Sequence, residues 1–336
     1  MKRVVTLQDV ARAADVSPKT VSRVINGDPQ VAPATRARVE EAVELLGYQV
    51  NVLARSLRRG HDNVVGLIVE SVRDPFFSEV IGELEQLSTP RGLTVMVASN
   101  QRGSGREREI VEGFLQRSLV GMIVTPQDAD YSFLRTIHMP VVFVDRRPRN
   151  LDADVVLADD RGATLEAVRH LVRYGHRRIA LISDELDVPS VRIRYEGYLD
   201  ALREVGVLVD PRLVRTGCRD GAMAEKETVD LLHLEHPPTA ILSTRAETSQ
   251  GVVRALHRHD ATDIAMVSFG DFALADSLTP AVTVLDHSAA LMGRYAAERL
   301  FARLDGDDER PMTITIPVPL ITRGSGELPP RDGVSG

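Results

Sequence analysis

Apolar residues recur at helical spacing near the start of the chain and in short continuous runs farther along, which predicts a small helical head followed by a sheet-based body. In T-L-Q-D-V-A-R-A-A, Leu7, Val10, Ala11 and Ala14 fall on one helical face, with Thr6 as N-cap and Asp9 three residues later. After a short turn at Asp15 and Val16, Ser17 is a second N-cap and Pro18 a tolerated first helical residue; the helix runs through Val24 and Ile25 to Asn26 and Gly27. Val21, Val24 and Ile25 face inward, leaving Lys19, Thr20, Ser22 and Arg23 on the outer face. A third helix is expected from Pro33 to Leu46, with Val39, Ala42, Val43 and Leu46 inside and Gly47 as its stop. Two short helices across a tight turn plus a supporting third form a helix-turn-helix unit. From Asn63 the pattern changes to V-V-G-L-I-V, T-V-M-V-A-S, G-M-I-V-T-P, V-V-F-V-D and D-V-V-L-A-D. A second series follows: R-R-I-A-L-I-S, T-A-I-L-S-T, I-A-M-V-S-F-G and A-V-T-V-L-D. Continuous runs of this kind, alternating with helical patterns, read as buried parallel strands of two doubly wound α/β lobes.

Charge sharpens the division. Residues 1–60 hold ten Lys/Arg and six Asp/Glu, a balance of +4, so the other 276 of the 336 residues carry −11 of the total −7. A basic head on an acidic body suits nucleic-acid binding by the head. No apolar run reaches the length of a membrane span and no signal-type segment precedes the first charges, so a cytoplasmic, nucleoid-associated protein without membrane contact is expected. The single cysteine, Cys218, excludes an intrachain disulfide and any multi-cysteine zinc site. Catalytic signatures are missing: there is no G-x-S-x-G, Walker A or H-E-x-x-H motif, and the histidines lack companions at ligand spacing. No enzyme, cofactor or metal is therefore expected; the alternatives are a ligand-binding protein or an α/β enzyme without a DNA role.

The segments T-L-Q-D-V-A-R-A-A-D-V-S-P-K-T-V-S-R-V-I-N-G, T-R-A-R-V-E-E-A-V-E-L-L-G-Y and N-V-L-A-R-S-L closely resemble the LacI/GalR family of bacterial transcription regulators. The resemblance continues through D-P-F-F, V-D-R, G-H-R-R-I-A-L-I and R-I-R-Y-E-G-Y to about residue 323. It implies that the second helix enters the major groove, with Lys19 and Arg23 on base edges and Ser17, Thr20, Ser22 and Asn26 on phosphates. Pro18 stands where many members place a base-reading side chain and has no donor, so readout there is by shape or apolar contact. Asp15 replaces a turn glycine, and Ala32 replaces a Ser/Thr cap, a loss of about 1 kcal/mol. Asn51 to Leu57 resembles the hinge helix; Asn51, Ala54, Arg55 and Leu57 are its implied DNA contacts, Leu57 as the wedge in the minor groove. Val50 replaces the proline often found before it.

The expected organisation is a DNA-binding domain at residues 1–49, hinge and linker at 50–60, a two-lobed core at 61–325 and a flexible tail at 326–336. Within the core the first lobe takes about 61–157 and 286–310, the second about 158–285 and 311–325. The family's periplasmic-binding-protein-like core implies a small-molecule effector between the lobes, at the carboxyl ends of the strands. Its implied contacts are Ser71, Asp74, Phe76, Asp145, Arg146, Arg192, Arg194, Arg245 and Asp271, within or beside the segments 243–247 and 268–271; either Phe76 or Phe77 is the candidate to stack on a ligand ring. Compared with sugar-binding members, Arg245 and Ala246 stand in place of Asn-Asp, and Ser71 in place of a frequent Asp. The arginines then suggest an anionic effector such as a sugar acid or sugar phosphate; if Arg245 instead pairs with Glu247 or another acid, the effector is neutral or absent. The family further implies a homodimer on a pseudo-palindromic operator, most often as a repressor, with the helix from Phe76 to Leu87 in the interface. The tail has no heptads that could form a tetramerising coiled coil.

Overall fold

The computed structural model describes residues 5–25, 28–46, 63–100, 105–117, 119–127 and 129–330. The chain separates into two compact units at the Asp62/Asn63 boundary.

The head consists of α1 (Leu7–Ala13), α2 (Pro18–Ile25) and α3 (Pro33–Leu46). Thr6 and Asp9 form the capping box that their spacing predicts: the Asp9 amide donates to Thr6 Oγ1 at 3.3 Å and the Thr6 amide to the Asp9 carboxylate at 3.0 Å. Val10, Ala11, Ala14, Val21, Val24, Val31, Val39 and Ala42 form one small buried core. The turn between α1 and α2 passes through Asp15 at φ +49°, the left-handed region where glycine costs least. Arg38 donates to the Asp15 carbonyl at 3.1 Å and holds α3 against this turn.

The body contains two six-stranded sheets. In the first, β1 (Val64–Val69), β2 (Thr94–Ser99), β3 (Gly121–Val124), β4 (Val141–Val144), β5 (Asp154–Ala158) and β11 (Thr313–Ile316) run in the order β11-β5-β4-β3-β1-β2, with every neighbouring pair parallel. In the second, β6 (Ile179–Ile182), β7 (Val214–Arg215), β8 (Ala240–Ser243), β9 (Ala265–Phe269), β10 (Thr283–Leu285) and β12 (Leu320–Ile321) run β12-β10-β9-β8-β6-β7. Only the pairing of β12 with β10 is antiparallel. The central strands are buried along nearly their whole length, which is why they read as uninterrupted apolar runs.

Helices cover the faces: α4 (Pro75–Ser88), α5 (Glu107–Leu115) and α10 (Ala289–Leu304) in the first lobe; α6 (Asp160–Arg173), α7 (Pro189–Glu204), α8 (Gly221–Leu232) and α9 (Ala246–Arg258) in the second. Close helix approaches depend on glycine. A Cβ on Gly251 would lie 2.1 Å from the Gly221 carbonyl, and one on Gly293 3.0 Å from Val80 Cα.

Two expected boundaries move. Thr313–Ile316, placed by sequence in the second lobe, pairs with β5 in the first, so the chain returns to the second lobe only after Ile316. Its T-I-T-I alternation belongs to an edge strand with one face exposed, a weaker signal than the buried runs. The tail expected to be flexible from 326 is docked as far as Pro330: Ser325 and Gly326 are buried, and Glu327 accepts from His170 at 2.6 Å and from Thr283 Oγ1 at 2.9 Å. The Leu328 carbonyl also lies 2.9 Å from His176 Nε2. These partners sit 44 to 157 residues away in sequence, so composition alone made the segment look like a tail.

Candidate functional site

On the head, α2 presents the predicted outer face. Ser17 caps the helix, accepting from the Thr20 amide at 3.1 Å, with its hydroxyl 2.9 Å from that of Thr20. Pro18 and Lys19 are exposed, Thr20 and Ser22 half-buried. Arg23 is less free than the sequence suggests: its Nε donates to Asp28 at 2.7 Å and Nη2 to Gln30 at 3.4 Å. The guanidinium holds the Asp28 carboxyl below its usual range. Asp28 therefore competes with a base edge for the Arg23 guanidinium. Asn26, Asn51, Ala54, Arg55 and Leu57 lie outside the described residues.

In the body, loops at the carboxyl ends of the strands enclose a cavity of about 820 Å³. Glu70, Ser71, Arg73 and Asp74 follow β1; Glu185 and Asp187 follow β6; Arg219 follows β7; Arg245 and Glu247 follow β8; Asp271 and Phe272 follow β9. A smaller chamber of about 60 Å³ adjoins it, walled by Phe76, Asp145, Arg146, Arg194, Phe269 and His287 among others; Asp74, Arg245 and Glu247 border both.

Three of the four arginines expected to bind an anion are already matched. Arg146 donates to Glu70 at 2.7 Å and to Gln127 at 2.9 Å, and its Nε lies 3.0 Å from the carboxylate of Asp145, a residue held at φ +71°. Arg194 donates to the buried Asp160 at 2.7 Å and to the Thr244 carbonyl at 2.7 Å, and lies over Phe269 with Cζ 3.7 Å from the ring centre. Arg245 pairs with buried Asp184, with Asp74 at 3.3 Å and with Glu247 at 3.4 Å. Asp271 is held by Arg323 at 2.9 Å, which lowers its pKa. Six carboxylates and three guanidiniums line the larger cavity, so its wall is net negative.

Other predicted residues separate by position. Phe77 belongs to the first-lobe core, whereas Phe76 stacks on His287 with ring centres 4.6 Å apart and planes 3° from parallel. Asp74 caps α4, accepting from the Phe76 amide at 3.0 Å. Arg192 is a correction: it lies on the exposed side of α7, donating to the Leu186 carbonyl at 2.8 Å, outside both chambers. Two residues along a helix turn the side chain through about 200°, so Arg194 joins the buried stripe of Val191, Tyr198 and Ala201 while Arg192 points away. Ser243 and Ser268 are fully buried, their hydroxyls bonded to Thr248 at 2.8 Å and to Ser249 at 2.7 Å. Glu70, Asp184, Asp187 and His287 were missed; Glu70, Asp184 and His287 directly follow or lie within two residues of apolar runs, the position that marks a parallel-sheet site.

His287 sits between the lobes' aromatic rings, 4.6 Å from Phe76 and 5.3 Å from Phe269. Burial, with the Arg194 charge nearby, pushes its pKa down to about 3. The unfolded chain therefore takes up a proton near pH 6.5 that the folded chain refuses, and stability drains away as pH falls from about 6.5 toward 3. In thermal melts across that window, His287→Phe, which keeps an aromatic ring in the stack, is expected to lose less stability on acidification than wild type. Parallel melting-temperature profiles for the two proteins would overturn this account.

The comparisons with known proteins agree with both units. Residues 6–51 match the model described as bacterial regulatory proteins, lacI family, and residues 168–326 the periplasmic binding protein-like domain. The chain is 29% identical over 330 residues to the transcriptional regulator GalR of Escherichia coli K12, covering 96% of each chain. To the ribose operon repressor of the same organism it is 29% identical over 332 residues, covering 95% of this chain and 99% of that one. A crystal structure of the Lac repressor dimer bound to operator and the anti-inducer ONPF superposes with a TM-score of 0.86 at 26% identity, covering 96% of this chain and 99% of that chain. These relatives are regulators and not enzymes. With a lacI-type helix-turn-helix head and a two-sheet periplasmic-binding-protein-like body, the chain is similar over nearly its whole length to DNA-binding bacterial transcription regulators of the LacI/GalR type.

Proposed function

We propose that this protein is an operator-binding repressor, acting as a homodimer, whose affinity for DNA is set by an uncharged polyhydroxylated effector in the cavity between its lobes. The exposed outer face of α2, led by Lys19, supports the DNA role, and its relatives include a ribose operon repressor and an operator-bound repressor dimer. Leu291 and Tyr295, each 40% exposed on α10 beside α4, supply apolar surface for self-association. For the effector, the pairing of Arg146, Arg194 and Arg245 with carboxylates carries the reading. An anion entering here meets a net negative wall and must displace an existing partner. A sugar hydroxyl meets carboxylate acceptors and arginine donors already fixed in place, and Phe272 adds apolar surface.

The test is fluorescence anisotropy of the protein on labelled DNA from upstream of its own gene, titrated with neutral sugars, sugar acids and sugar phosphates. A neutral sugar is expected to change the DNA affinity, and the sign of the change separates inducer from corepressor. Response to a sugar acid or phosphate alone would restore the anionic effector; response to none would leave the effector role unsupported.

A further inference from the structure

Arg245 occupies an unusual place in the cleft. It starts α9 in the second lobe, at the N-cap position with extended backbone and no side-chain cap of its own. Its guanidinium instead joins two lobes. Nη1 pairs with Asp184, wholly buried after β6 of the same lobe, and Nη2 reaches Asp74 at 3.3 Å, the residue that caps α4 in the first lobe. Glu70, also of the first lobe, adds attraction across the cleft. Among the described residues, Arg245 to Asp74 is the one ion pair that connects the lobe of the first sheet to the lobe of the second. The side chain also stands between the 820 Å³ and 60 Å³ chambers and borders both. The smaller chamber, about 60 Å³, is too small for a sugar ring.

We infer that Arg245 is an interlobe latch that holds the empty cleft closed and bars the inner, aromatic chamber to the effector. The fork geometry of arginine suits the task, since separate nitrogens serve Asp184 and Asp74 at once, and lysine has a single ammonium. The buried Asp184 anchor keeps the guanidinium in the second lobe whether or not the lobes are closed, so opening breaks only the Asp74 contact. Closure without effector gives the protein two discrete states for a ligand to bias. An effector confined to the outer cavity stabilises the latched form; one that needs the inner chamber has to open the latch first. This goes beyond the choice of effector and is read in its absence.

Spin labels on cysteines introduced at exposed Asp152 and Ser277, one in each lobe, report lobe separation in effector-free full chain by pulsed dipolar spectroscopy. Labelled protein is diluted with unlabelled chain so that distances within one protomer dominate. Cys218 does not compete, being buried with its pKa pushed up to about 11. Asp74→Asn keeps the helix cap and removes the charge, and is expected to lengthen and broaden the distance distribution; Arg245→Met does the same. Arg245→Lys gives an intermediate distribution, and Glu247→Gln, which loses only a partner within the second lobe, overlays wild type. Melting each variant checks that it is folded. Distributions for Asp74→Asn and Arg245→Met that both coincide with wild type would sink the latch and leave the effector proposal standing, whereas lengthened distributions together with a DNA response only to sugar acids or phosphates would keep the latch and sink the effector proposal.

Discussion

Arg194→Ala is expected to destabilise the body by about 3–5 kcal/mol, because it leaves the Asp160 carboxylate buried without its ion-pair partner. Asp160 is 5% exposed, and burial pushes its pKa up to about 6 even with the guanidinium 2.7 Å away. Removing Arg194 also strips the Thr244 carbonyl of its donor and Phe269 of the group lying over its ring. The loss has a distinctive rescue. In the double variant Asp160→Asn, Arg194→Met no buried charge remains, and part of the stability returns; urea unfolding of the wild type, both single variants and the double variant measures this coupling. A single Arg194→Ala variant as stable as wild type would mean that Asp160 is neutral in the folded protein. The arginine expected from sequence to grip the effector is thus first a structural member of the second lobe, which ties the start of α6 to the end of β8.

Lys19→Ala carries the second large effect, on DNA. A side chain on a base edge contributes about 1–3 kcal/mol per head, and a dimer uses two heads, so operator affinity should fall by roughly 30-fold or more. If Lys19 contacts only phosphate, the loss appears on operator and random DNA alike and the salt dependence becomes shallower. Arg23 differs because Asp28 competes for it at 2.7 Å. Asp28→Asn removes the competing carboxylate and is expected to raise affinity a few-fold, consistent with the worth of about 0–1 kcal/mol for a half-exposed ion pair. Anisotropy on operator and scrambled duplexes at several salt concentrations separates these outcomes; unchanged operator affinity for Lys19→Ala would remove α2 as the reading helix.

Much of the architecture was legible because burial on both faces leaves a one-dimensional trace. Nine runs from V-V-G-L-I-V to A-V-T-V-L-D each contain a strand of the two sheets. The unread strands were the two-residue β7 and β12 and the alternating edge strand β11, which are too short or too exposed to make such a run. In the head, the capping box, the Ser17 cap and the Val-rich inner faces follow from residues three or four apart, so local spacing was enough. Helical spacing also held the distinction between Arg192 and Arg194, in the stripe that includes Val191 and Tyr198.

By itself, the sequence determined two kinds of property: where the strands and the head helices lie, and that a ligand cleft would form at the carboxyl ends of the strands. Both rest on periodicity and on the rule that parallel sheets present their carboxyl ends to ligands, while the particular loops after β1, β4, β8 and β9 were implied by the family resemblance. The tertiary structure alone decided the charge that this cleft shows. Arg146 finds Glu70 across 76 residues and Arg245 finds Asp74 across 171, and no local pattern encodes such pairings. A count of arginines measures charge along the chain, whereas a ligand responds to the charge left after close partners have neutralised one another in a poorly hydrated space. The cluster read as an anion clamp therefore became a set of matched ion pairs, one of them joining the lobes.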